Sequence, residues 1–170
     1  MHLDAAHIAA TPDPQVPAGF LLRTFQANQD EAPYVALLRS AGFTAWDEEY
    51  LQRTLRAALP DGIFFLVDAG TGALAGTAVA NRLDPARFPD GGEFGWLGVH
   101  PACRGRGFAA VVHDAVVRRY REEGYHDLYL LTDDFRLPAL RLYLRRGWQP
   151  MIPDAPTADR WRAIHAALGL

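Results

Sequence analysis

The chain has 170 residues, close to half of them apolar, and a formal net charge of −3 with a pI near 6.0. That length suits one domain burying roughly two-thirds of its unfolded surface, and the acidic balance gives no electrostatic footprint for nucleic acid. No apolar run approaches the ~18 residues of a membrane span, and the N-terminus lacks a secretory pattern, so a cytoplasmic location is expected. The single cysteine, Cys103, excludes an intramolecular disulfide, and the histidines at 2, 7, 113, 126 and 165 show no metal-ligand spacing. All 17 basic residues are arginine, which we read as a mark of a GC-rich coding sequence.

Residues 1–18, with Pro12, Pro14 and Pro17, read as a flexible or surface-draped N-terminal arm. A first strand is predicted over Gly19–Gln26. A helix follows through Ser40, capped by Asn28 or Asp30, with Tyr34, Leu37 and Leu38 on one face. A second helix opens at Thr44 or Asp47 and runs to Leu59, where Pro60-Asp61-Gly62 reads as its stop. Ile63–Val67 and Leu74–Ala80 read as a hairpin around a turn at Asp68–Gly72, and Asn81–Gly92 as a polar loop.

Glu93–Val99 is the next predicted strand. Phe108, Val111, Val112, Ala115 and Val116 then mark a long amphipathic helix closed by Gly124. Beyond it the reading gives a buried strand at Leu128–Leu131, a helix at Leu137–Arg146, a last strand at Trp148–Ile152 and a helical tail at Thr157–Leu168. No internal repeat or interdomain linker interrupts this order.

The segment from Val99 to Ala109 carries most of the functional information. It joins a strand to a helix through Arg104-Gly105-Arg106-Gly107-Phe108-Ala109. A helix N-terminus leaves backbone N–H groups free and attracts anions, glycine lets a ligand approach, and arginine adds positive charge. The stretch is an anion cradle, but neither a Walker A loop nor a three-glycine dinucleotide fingerprint.

Val99, Pro101 and the Arg104–Ala109 run resemble the pyrophosphate loop of the Gcn5-related N-acetyltransferase (GNAT) family, whose signature is Arg/Gln-x-x-Gly-x-Gly/Ala. The order of predicted elements over residues 19–152 resembles that family too. The resemblance implies an α/β (α+β) fold: a mixed, mainly antiparallel central sheet with helices on both faces. Residues 19–152 would form the acetyltransferase domain, and 153–170 a helical tail packed on it.

The family pattern Asn-x-x-Ala-x-x-x-Tyr followed by Gly-Phe is met by Ala139, Tyr143, Gly147 and Trp148, with Arg136 in the asparagine position and Trp148 in place of phenylalanine. The resemblance makes acetyl-CoA the cosubstrate. Its pyrophosphate would be held by Arg104, Gly105, Arg106, Gly107, Phe108 and Ala109, its thioester arm by the backbone of Leu97 and Val99, with Arg136 as a further contact. Tyr143 would then protonate the departing thiolate, unless it is a packing tyrosine. Glu93 is either the general base, working through water, or a solvated acidic residue.

Gly95 and Gly98 mark either a bend or the close approach of a ligand. His100 and Cys103 lie at the loop and read as structural and inert. The arginines at 118, 119 and 121 and at 141, 145 and 146 read as solvated helix faces. Asp47, Glu48, Glu49, Asp133 and Asp134 are candidates to receive a cationic amine, with helix capping as the plain alternative. Phe43, Trp46 and Trp96 line the same cleft or fill the core. The resemblance implies an amine acceptor, a small molecule or a peptide, with no nucleic acid, membrane or metal partner, and admits a homodimer. A non-catalytic acyl-CoA-binding or sensory module of the same fold remains the alternative.

Overall fold

The computed structural model describes residues 1–82 and 91–170. Its elements are β1 (His2–Leu3), α1 (Ala5–Ala10), β2 (Phe20–Thr24), α2 (Glu31–Ser40), α3 (Glu48–Ala57), β3 (Ala58–Asp68), β4 (Leu74–Arg82), β5 (Gly91–Val99), a 3-10 turn (Pro101–Cys103), α4 (Phe108–Glu122), β6 (Asp127–Tyr129), α5 (Leu137–Arg145) and α6 (Ala155–Leu168). The strands form one sheet in the order β1-β6-β5-β4-β3-β2, antiparallel throughout except for the parallel pair β5–β6.

Two apolar clusters hold helices to the two faces of this sheet. On one, Val112, Ala115, Val116 and Tyr120 of α4 pack with Leu140 of α5, Ile164 of α6 and Phe64 and Leu66 of β3. On the other, Tyr34 and Leu38 of α2 and Leu51 of α3 meet Trp46, Phe65 and Val67. Phe64 to Val67 alternate between the clusters because successive strand side chains point to opposite faces. Removing a buried side chain of this size from water contributes about 1.5–3 kcal/mol.

Several expectations need correction. The N-terminal arm is structured over its first ten residues: His2 and Leu3 pair with Tyr129 and Leu128, and Leu3 and Ile8 are buried. The expected last strand at Trp148–Ile152 shrinks to one bridge, between His2 and Gln149. The N-terminal segment occupies that place, exchanging backbone hydrogen bonds of 2.9 and 2.8 Å with Gln149.

Pro60-Asp61-Gly62 does not stop a helix but lies inside β3. Ala58 pairs with Asn81 and Ile63 with Val79, so β3 accommodates extra residues there as a bulge. Asp61 sits at φ 53, and a β-carbon on Gly62 would come 2.8 Å from the Ala80 carbonyl. Of the loop read over Asn81–Gly92, residues 81–82 and 91–92 are strand, and 83–90 lie outside the described residues. Asp47 caps α3 through Tyr50 N–H as expected. Asp30 instead takes both Arg23 guanidinium nitrogens, at 2.6 and 2.8 Å, and Gln26 N–H, joining β2 to the start of α2.

Candidate active site

The parallel pairing of β5 with β6 covers only Gly91–Glu93 against Asp127–Tyr129. Beyond it the sheet opens into a cleft of about 990 Å³, walled by Phe94–Val99 of β5, the loop at Gly105 and Gly107, the start of α4, residues 131–136 and α5. That volume is at the upper end for small-molecule sites, enough for an extended ligand.

A bulge shapes β5 within the cleft. Thr77 pairs with Gly98 and Val79 with Gly95, so three steps of β5 pass against two of β4. Trp96, in the bulge, sits at φ 50, a conformation costly for a bulky residue. Its ring is held edge-on by Phe43, Trp46 and Tyr50 at centroid distances of 5.4–5.7 Å. The strand glycines answer to protein neighbours as well as to the cleft. A β-carbon on Gly95 would stand 2.7 Å from Asn81 Nδ2, and one on Gly98 3.1 Å from Ala41 and Leu38.

The glycine loop before α4 has an open, left-handed backbone at two positions. Gly105 and Gly107 adopt φ 76 and 80, and a β-carbon on either would meet nothing within 4 Å, so their surroundings are open. Gly107 is the N-cap of α4 and offers no side chain to the N–H groups of the first turn. The Ala110 N–H donates to the Gly107 carbonyl at 3.0 Å, and no side chain caps the turn. The uncapped, open helix end fits a pyrophosphate.

Of the expected site residues, Glu93, Leu97, Val99, Arg104, Gly105, Gly107, Phe108, Ala109, Arg136 and Tyr143 all border this cleft. Arg106 is not among its lining residues. Its guanidinium lies over the rings of Phe20 and Phe108, at 5.0 and 4.6 Å, a stack that braces the loop. Arg136 rests on Phe43 at 4.1 Å and donates to Asp133 at 3.0 Å. Cys103 lines the cleft, and His100 accepts from Ala102 N–H at 3.3 Å to start the 3-10 turn.

Glu93 is half-buried, and burial pushes its carboxyl above the usual range. Its carbonyl, with that of Asn81, lies 2.7 Å from the Tyr120 hydroxyl. Tyr143 is buried; desolvation raises its phenol well above the ordinary value, with Arg136 pulling the other way.

The acidic candidates for a cationic acceptor are engaged elsewhere. Asp47 caps α3, Glu48 accepts from Gln52, Glu49 pairs with Arg53, and Asp133 and Asp134 pair with Arg136 and Arg160. Arg121 donates to Thr11 O, Arg141 to Leu168 O and Arg146 to Asp114, so these arginines tie elements together instead of forming solvated faces. Residues the sequence did not single out also enter the cleft: Asn81 at the end of β4, and Arg53 and Thr54 on α3 beside Tyr50. None belongs to a motif: Asn81 read as the start of a loop, and Arg53 and Thr54 only as parts of a helix. Among the described residues no group of three potential metal ligands occurs, and no helix is long and apolar enough to cross a membrane.

The uncapped start of α4, the split between the parallel strands and the positions of Glu93 and Tyr143 thus share one cleft. A model of the acetyltransferase (GNAT) family matches residues 25–148, and the chain belongs to that family. Among curated relatives, the mycothiol acetyltransferase of Saccharomonospora viridis is 29% identical over 161 residues, covering 87% of this chain and 52% of that protein. The mycothiol acetyltransferase of Pseudarthrobacter chlorophenolicus is 31% identical over 148 residues, covering 82% and 46%. The chain spans about half the length of the curated relatives it matches. Among solved structures, a GCN5-related N-acetyltransferase from Sphaerobacter thermophilus aligns with a TM-score of 0.68 at 26% identity, over 81% of this chain and 43% of that one. The ribosomal-protein-S18-alanine N-acetyltransferase from Escherichia coli shares the fold at 15% identity and a TM-score of 0.61, over 75% and 76%.

Proposed function

We propose that this chain is an acetyl-CoA-dependent N-acetyltransferase that moves the acetyl group to an amine by direct attack. The observation that carries this reading is the opening of the uncapped, glycine-formed start of α4 into the same cleft as Glu93 and Tyr143. The cradle receives the pyrophosphate through backbone N–H groups, with Arg104 at its edge. Along β5, the backbone of Leu97 and Val99 faces the space where the pairing with β6 has ended, and orients the thioester.

Glu93, held above the ordinary carboxyl range by burial, accepts the proton of the incoming amine, directly or through a water. Nitrogen bonds to the acetyl carbon, the carbon–sulfur bond breaks, and its electron pair stays on sulfur. Tyr143 donates its phenolic proton toward that sulfur as charge develops. The aromatic wall of Phe43, Tyr50 and Trp96 borders the acceptor. The curated relatives are named mycothiol acetyltransferases, which supports including mycothiol-related amines among the acceptors tried.

Calorimetry with acetyl-CoA, followed by thiol release over a panel of amino sugars, polyamines, amino acids and peptides, tests the reading. Binding with thiol release on one acceptor class supports it. Binding with none makes the chain an acyl-CoA-binding module.

A further inference from the structure

The two residues that close α5 behind Tyr143 are both tied to one dipeptide on α4. The carbonyl oxygen of Tyr143 accepts from the backbone N–H groups of Arg146 and of Trp148, each at 3.0 Å. The indole N–H of Trp148 donates to Nε2 of His113 at 2.8 Å. With Nε2 accepting, the proton of the neutral imidazole sits on Nδ1, which lies 2.8 Å from Oδ1 of Asp114. The other carboxylate oxygen of Asp114 accepts from Arg146 at 2.7 Å.

Both α4 partners are deeply buried, His113 with no exposed surface and Asp114 at 3%. Burial keeps the imidazole below its ordinary range, consistent with the neutral tautomer this chain of hydrogen bonds requires. The rings repeat the connection. Tyr143 has Phe94 and Trp148 at 5.9 and 6.0 Å, and Phe94 in turn touches Trp148 and His113 at 5.7 and 5.2 Å.

We propose that His113 and Asp114 are positioning residues, which hold Trp148 and Arg146 and through them fix the Tyr143 hydroxyl relative to the start of α4. The proposal rests on the proton-donor role given to Tyr143 above. Five residues before His113, the same helix begins at Phe108 with the anion cradle. One rigid element therefore sets both the grip on the donor's phosphates and the place of the proton donor. Apolar side chains would pack this space equally well. Hydrogen bonds impose direction as well, and a catalytic group displaced by about 1 Å loses much of its effect.

The test is thiol release from acetyl-CoA, with water and with glucosamine as nucleophiles, in Trp148→Phe, Tyr143→Phe and the double variant. Trp148→Phe keeps an aromatic ring beside Tyr143, removes the donor to His113 and leaves a smaller ring at a buried position. It should lower kcat about tenfold with the KM for acetyl-CoA within about twofold, and should add less than about twofold once Tyr143 is already phenylalanine. Arg146→Gln, altered at a partly exposed side chain, should show the same background dependence at about threefold, and serves if Trp148→Phe fails to fold. An equal loss in both backgrounds, or no loss of kcat, overturns the positioning role and leaves the proposed function standing. Unchanged turnover in Tyr143→Phe overturns the proton-donor role and the positioning role together, and no thiol release with any acceptor of the panel overturns the proposed function as well.

Discussion

The hydroxyl of Tyr120 on α4 lies 2.7 Å from the carbonyl oxygen of Glu93 on β5, and equally close to that of Asn81 on β4. A single side chain thus pins the strand that carries the candidate base to the helix that begins at the anion cradle. The tyrosine ring fills the space a β-carbon at Gly92 would take, so position 92 has no room for a side chain. Tyr120→Phe should cost about 1–3 kcal/mol, because the Asn81 and Glu93 carbonyls lose the one proton they share. Gly92→Ala should cost more, because the ring must leave its place. Urea unfolding of both variants measures the order.

Glu93 yields a pH prediction whose sign follows from its burial. A carboxyl whose folded pKa is raised works as a base only above that pKa, so thiol release should fall as pH drops through a value above the free glutamate figure of about 4.3. Glu93→Gln should lose that limb together with most of the turnover. The same shift makes the charged form costly to the fold above the unfolded pKa. Glu93→Gln should therefore raise the urea midpoint at neutral pH and leave it unchanged near pH 4.

Gly107 tests the cradle directly. With φ at 80 and nothing near its α-carbon, a β-branched replacement meets no clash but forces a left-handed backbone, at about 1–2 kcal/mol. Gly107→Val should weaken acetyl-CoA binding by about tenfold or more, read by calorimetry. Unaltered affinity would remove the loop from the cosubstrate site.

His113 predicts a distinct acid sensitivity. Burial lowers its pKa in the fold below the unfolded value of about 6.5, so stability present above that pH is lost as protons bind the unfolded chain preferentially. Thermal melts between about pH 7.5 and 5 should show the unaltered protein losing more stability than the His113→Phe, Trp148→Phe double variant. That variant removes both partners of the hydrogen bond, so neither is left buried and unsatisfied. Parallel melting curves would contradict the buried neutral assignment.

The anion cradle was legible in the sequence because its determinants are local: two glycines, flanking arginines and a strand-to-helix change within eleven residues. The helices α2 to α5 and the strands β2 to β5 were legible for the same reason, through spacing and caps, with boundaries displaced where bulges absorb Asp61, Gly62 and Trp96. A bulge depends on what the partner strand presents, which no local pattern records.

Tertiary structure alone decided the rest. His2 reaches Gln149 and Tyr129 across more than a hundred residues, so a proline-bearing arm became part of the sheet. The carboxylates offered by Asp47, Glu49, Asp133 and Asp134 were consumed by neighbouring N–H and guanidinium groups once the chain had folded. Trp148 differed from its motif in the sequence, but that the difference supplies a donor to His113 could be known only when α5 lay against α4. Sequence determined the form of the glycine loop and the start of α4, which are built from contiguous backbone. The aromatic wall and the placement of Tyr143 arise from side chains distant in the chain, whose meeting is set by packing.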